Sequence, residues 1–192
     1  MPFREPIVAI RRLIPALVLL AMATVACGDD PFLVRWTEDP RERVIYSLDR
    51  DERNRPSAFE MLQGRQVVLE SPEAIGRWDF ALDRQAGELV LLPPRALGVT
   101  SDAGIAPIPG VRYEDVREAP RDTAAYVMRT PVPLEMGTIY VIRTHQQPGP
   151  FGQQCSYYGK VEPLEIDSAT GVFRFLFDTS PDCNNRSLVP PS

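Results

Sequence analysis

The sequence predicts an all-β fold: an antiparallel sandwich or curled sheet with long loops and at most short helical turns. Three observations predict it. Proline supplies 20 of 192 residues, about twice its usual share, and beyond residue 27 the longest proline-free run is 73–92, which disfavours long helices. Short segments alternate apolar and polar residues with the period of a strand. Glycine and proline turn signals separate these segments at short intervals.

The elements follow in order. Residues 43–48 alternate, with Val44, Tyr46 and Leu48 on one face. Residues 49–56 are charged and end in proline, the pattern of a solvated turn. Residues 66–70 form a β-branched run after Gly64. The clearest strand places Trp78, Phe80 and Leu82 on a core face, with Arg77, Asp79 and Asp83 opposite. Ala86-Gly87 turns the chain into an apolar strand at 88–92, stopped by Pro93-Pro94. Residues 96–120 read as loop, with room for a helical turn near 113–118. Residues 123–130 fit strand or helix, and the bounding Pro120 and Pro131 lean towards strand. Residues 138–144 are a buried strand, 145–154 a Pro/Gly/Gln loop, and 157–167 extended with a break at Pro163. Residues 171–178 put Phe173, Phe175 and Phe177 on one core face, and the tail from Ser180 is a loop held by Cys183.

The N-terminus carries a different signal. Arg4, Arg11 and Arg12 precede an apolar run of 14 residues, 13–26, shorter than the roughly 20 that span a bilayer. That is the form of a secretory leader. The run ends Thr24-Val25-Ala26-Cys27, which resembles the lipobox of bacterial lipoproteins, although Thr24 stands where Leu is usual. The resemblance implies cleavage before Cys27 and acylation of that residue; the alternative is ordinary cleavage after Ala26, leaving a free thiol. Acylation would also explain an odd cysteine count, because of Cys27, Cys155 and Cys183 it leaves one pair. Export puts that pair where disulfides persist, so a Cys155–Cys183 bridge is expected, with two reduced buried thiols as the alternative. The expected organisation is a signal peptide (1–26), a lipidated cysteine with a polar tether (27–40) and one β-rich domain (41–192). The expected location is the bacterial cell envelope, at the outer membrane or cell surface rather than the inner membrane.

After loss of the leader, 18 basic and 25 acidic residues remain, a net charge of −7. An acidic body disfavours nucleic acid and leaves membrane attachment to lipid rather than to a basic patch.

Three ordered segments resemble the HmuY-like family of bacterial surface lipoproteins: VIYSLDR with GRQVVLE, then GRWDFALDR, then IYVIRT followed by YYGKVEPLEID. The resemblance covers roughly residues 43–178. It implies an all-β, membrane-anchored fold and, in the best-known members, haem held between loop-borne axial ligands. This chain departs there, since a bis-histidine site needs two histidines and only His145 is present. Met128, Met136 and His145 are the candidate ligands, each with a plainer reading: core filler for the methionines and an exposed loop residue for the histidine. No nucleophile elbow, phosphate-binding glycine loop or metal-spaced His/Glu cluster occurs. The acidic groups Asp49/Asp51/Glu52 and Glu114/Asp115/Glu118 lie in charged runs typical of solvated faces. The expectation is a non-catalytic domain binding haem or another small hydrophobic molecule, or else one contacting an envelope protein.

Overall fold

The computed structural model describes residues 35–37, 39–149 and 151–191; the expected leader, Cys27 and most of the expected tether lie outside the described residues. The strands are β1 (Arg41–Tyr46), β2 (Ala58–Glu60), β3 (Arg65–Val67), β4 (Phe80–Gln85), β5 (Glu88–Leu92), β6 (Gly104–Pro109), β7 (Val132–Pro133), β8 (Thr138–Arg143), β9 (Gln147–Pro148), β10 (Gln154–Cys155), β11 (Tyr158–Asp167) and β12 (Val172–Thr179). They form two five-stranded antiparallel sheets, ordered β1-β12-β11-β8-β6 and β3-β2-β4-β5-β7, and a separate β9–β10 hairpin. Among the described residues helical structure is limited to single 3-10 turns such as Pro94–Leu97 and Tyr113–Asp115. Among the described residues no helix is long and apolar enough to cross a membrane.

The core lies between the two sheets. Phe173, Phe175 and Phe177 are fully buried at alternate positions of β12, as the period of two requires. They meet Phe59, Phe80 and Leu82 of the other sheet. The Phe59 ring stands edge-on to Phe175 and Phe177, with centroids 5.1 and 4.8 Å away. Tyr140 is buried with them, and its hydroxyl accepts from the Glu135 amide (2.7 Å) and donates to the Pro133 carbonyl (2.8 Å). A tyrosine can thus occupy an apolar core with its polar tip satisfied.

Loops cover both outer faces. On the second sheet, Trp78 packs with Ala81, Val90 and Leu92. On the first, Val116, Ala119 and Leu188 pack over Ala106, Ile139 and Val141. Lys160 is buried beneath that layer, its ammonium donating to the carbonyls of Tyr113 (2.7 Å) and Val116 (3.0 Å).

Several expectations need correction. Trp78 does not share the face of Phe80 and Leu82, because β4 begins only at Phe80 and the indole belongs to the outer layer. Ile45 is the residue of β1 that enters the core, on the face opposite Val44 and Tyr46. Arg50, within the charged run, is buried, and it donates to Glu70 Oε2 (2.9 Å) and to backbone carbonyls. Residues 96–120 contain a strand, β6, despite Pro107 and Pro109. That strand is an edge, and the backbone of Ile105 bonds outward to Val127. By the two-residue period, the N–H groups that the prolines lack would also have faced outward. Residues 123–130 form neither strand nor α-helix but a 3-10 turn at Thr123–Ala125 and the single bridge at Val127. β11 does not break at Pro163; its register with β12 shifts between Pro163 and Glu165, as a bulge requires. β8 pairs only as far as Val161, so the ring removes no hydrogen bond on that side.

The 88–92 strand and the Ala86-Gly87 turn stand as expected. Both turn residues have positive φ, 52° and 88°, the twist that a two-residue hairpin favours. The Cys155–Cys183 disulfide is present, with Cα atoms 5.1 Å apart.

Candidate functional site

One end of the sandwich concentrates buried polar chemistry. Three chain segments meet there: the turn after β2, the residue just before β4, and the second residue after β8. Glu60 closes β2, and its carboxylate accepts from the amides of Leu62 and Gln63, both at 3.1 Å. This holds the tight turn that ends at Gly64, whose φ of +66° suits glycine. Asp79 is fully buried. Its Oδ2 accepts from the Met61 amide at 2.7 Å, while Oδ1 accepts from both the amide and the Nδ1 of His145, each at 2.7 Å. One carboxylate thus ties segments attached to both sheets.

His145 was expected to be an exposed loop residue. Instead its side chain is only 13 % exposed and is paired with Asp79. Asp79, read as part of a polar strand face, is the centre of the cluster. Asp79 and Glu60 were missed because a period-two reading assigns sides, and the chain around Asp79 precedes the regular strand. Only the Trp-Asp dipeptide hinted at it.

The charges respond to this packing. Burial, followed by the nearby Asp79 charge, pushes the Glu60 carboxyl up to about 7. For His145, burial opposes protonation, but the hydrogen bond and charge of Asp79, helped by Glu60, outweigh it and raise the imidazole above its ordinary value. Both groups hold protons more tightly in the folded chain than in the unfolded one. Their contribution to stability is therefore full below the unfolded carboxyl value of about 4.3 and 6.5 for imidazole, and is lost as pH rises through the folded values. Melting temperature is expected to fall between pH 5 and pH 8, and Glu60→Gln should flatten that slope. An equally steep decline in the variant, measured by calorimetry, would remove the assignment.

Beside this cluster lies a cavity of about 420 Å³, lined by Gln63 and Arg65, the Gly76-Arg77 segment, His145 and the Gln146–Pro148 stretch, with Glu60 at its wall. Asp79 occupies Nδ1, leaving Nε2 as the ring nitrogen available to a ligand. A second cavity, about 390 Å³, is lined by Tyr46, Asp49, Arg55 and Arg84 among others. Ion pairs join several of its charges, Arg84 to Asp49 (3.4 Å) and Arg55 to Glu52.

The methionines lie elsewhere. Met128 packs in the outer layer over the first sheet, where its sulfur accepts from Arg143 at 3.3 Å. Met136 is 59 % exposed in the turn between β7 and β8. Neither lines the His145 cavity, so the three residues are not gathered at one site. Cys27 lies outside the described residues. Among the described residues no group of three or more His, Cys, Asp and Glu side chains is arranged to hold a metal ion. No protein-family model matches the chain, and no curated protein matches it.

Proposed function

We propose that the chain is an exported lipoprotein, anchored in the cell envelope by an acylated Cys27, whose β domain binds a small polar ligand without catalysing a reaction. The observation that carries the ligand assignment is the cavity beside His145, where an imidazole oriented by a buried carboxylate meets a wall of Arg and Gln side chains. Its volume falls within the range of roughly 300–1,000 Å³ usual for small-molecule sites. Its lining favours a polar ligand over the hydrophobic one expected from kinship with HmuY-like proteins. Haem is disfavoured at this cavity, where only Gly76 and Pro148 offer apolar surface and no second axial partner lies beside His145. The lining holds no Ser, Thr, Cys or Lys, and its Glu60 oxygens are bound to the Leu62 and Gln63 amides, which disfavours covalent catalysis there.

Export rests on the leader and on cysteine usage. The Cys155–Cys183 bridge supports it, because such bonds are rare in the cytosol.

Two measurements test the proposal. Cys27→Ala should abolish acyl labelling and leave the precursor uncleaved in the native host; normal labelling of that variant removes the anchor. A thermal-shift panel of polar metabolites should contain a stabilising compound, by about 2.7 kcal/mol at a hundredfold excess over its dissociation constant. A panel without one counts against ligand binding.

A protein partner is the second reading. Ile75 and Phe151 are 82 and 94 % exposed, in the segment before β4 and in the β9–β10 hairpin, both of which contribute to the cavity walls. Stoichiometric co-purification of an envelope protein, lost on Ile75→Ser and Phe151→Ser, would favour it.

A further inference from the structure

We infer that the His145 cavity binds an oxyanion, the carboxylate or phosphate group of a small organic acid, held by Arg65, Arg77, His145 and Gln147. This deepens, and rests on, the reading of the domain as a binder of a small polar ligand.

Four observations converge on an anion. Arg65 and Arg77 both line the cavity; among the described residues neither guanidinium makes a hydrogen bond or a close ion pair, and Arg65 feels the Glu60 charge only at longer range. In the second cavity, by contrast, the arginines are matched by Asp49, Glu52 and Glu70. A guanidinium presents a planar fork of donors that suits carboxylate and phosphate oxygens.

His145 adds a third donor. Nδ1 is bound to Asp79, so the ring, once protonated, has only Nε2–H left to offer outward. The Asp79 oxygens are engaged by Met61 and His145, and those of Glu60 by Leu62 and Gln63. Both carboxyls are thus hydrogen-bonded to the protein, Glu60 carries its negative charge only above about 7, and the two guanidiniums remain for a ligand.

Gln147 supplies the fourth observation. Its Nε2 is buried without a hydrogen-bond partner, and Gln147 is part of the lining. Buried donors are seldom left unsatisfied, and a turn of this amide towards the cavity would let a ligand oxygen satisfy it.

The only histidine of the chain is its own reporter. Imidazole NMR signals of the mature protein are followed at constant ionic strength while citrate, inorganic phosphate or glycerophosphoglycerol (the deacylated headgroup of a phospholipid) is added. Glucose serves as the neutral control. Saturable movement of the His145 signals is expected with at least one anion and not with glucose. Arg65→Gln and Arg77→Gln should each weaken it by about tenfold, the loss of one charge-assisted contact. Both arginines are exposed, so the variants are expected to keep the native backbone spectrum.

A response to citrate or phosphate points to a free acid, and one confined to glycerophosphoglycerol points to a lipid headgroup; either supports the oxyanion site. Silence with all three anions overturns it, as does unchanged affinity in the double arginine variant. If neutral compounds stabilise the protein while every anion is silent, only the oxyanion inference fails. If neither class acts, the ligand-binding reading fails with it.

Discussion

Replacing Asp79 with alanine is expected to destabilise the domain by about 3–5 kcal/mol, the cost of removing the acceptor from a buried, hydrogen-bonded carboxylate–imidazole pair. The carboxylate is fully buried and accepts three hydrogen bonds of 2.7 Å. Alanine leaves the amides of Met61 and His145 without an acceptor, and an unsatisfied buried donor alone costs roughly 1–3 kcal/mol. It also isolates the His145 imidazole, which is then expected to lose its raised affinity for a proton. Asn should be intermediate, since its carbonyl can serve one donor while its amide faces another. Urea denaturation checks the size of the effect. A loss under about 1 kcal/mol in Asp79→Ala, well below the usual cost of breaking such a pair, would mean that the cluster is not the clasp described here.

Removal of the Cys155–Cys183 bridge is the second large effect. The bonded residues are 28 apart in sequence, and a loop of that size is worth roughly 3.5 kcal/mol in the chain-entropy account. For a domain of this length that corresponds to a fall of about 7–14 °C in melting temperature. Cys155 is buried, and Leu62 and Tyr157 pack around it, so Cys155→Ser adds a packing loss that reduction alone does not. The double serine variant should therefore melt below the reduced wild type. Two titratable thiols in the native protein would remove the staple. Leu62 and the adjacent Gln63 join this packing to the candidate site, so reduction is also expected to weaken ligand binding.

The parts of the fold that could be read directly are those where local pattern and tertiary environment agree. Phe173, Phe175 and Phe177 announce a buried face because alternation survives through the whole of β12. Residues 88–92 and 138–144 were legible as continuous apolar runs ended by turn signals. β6 was not, because Gly104, Pro107 and Pro109 carry a loop composition, and only its edge position makes them compatible with a strand. Pro163 misled in the same way: a proline reads as a break until a bulge and a missing neighbour remove the conflict.

The site was less legible than the fold. His145 in isolation is a polar residue in a Gln/Pro/Gly loop, and Asp79 is a charge next to a strand. They lie 66 residues apart in sequence, and no local periodicity encodes a contact of that range. Arg65 and Arg77 are likewise ordinary surface cations until the loops around them form a cavity.

What the amino-acid sequence determined by itself was the β architecture and the turn at Ala86-Gly87, together with the expectation, met in the structure, that Cys155 pairs with Cys183. These follow from backbone preferences, alternation and parity, all of which act locally or by counting. Tertiary structure alone decided that Asp79 is buried, that it holds His145, and that Trp78 faces outward under a loop. The reason is physical: burial and hydrogen bonding depend on which segments arrive at the same end of the sandwich, and that is set by how the two sheets pack together.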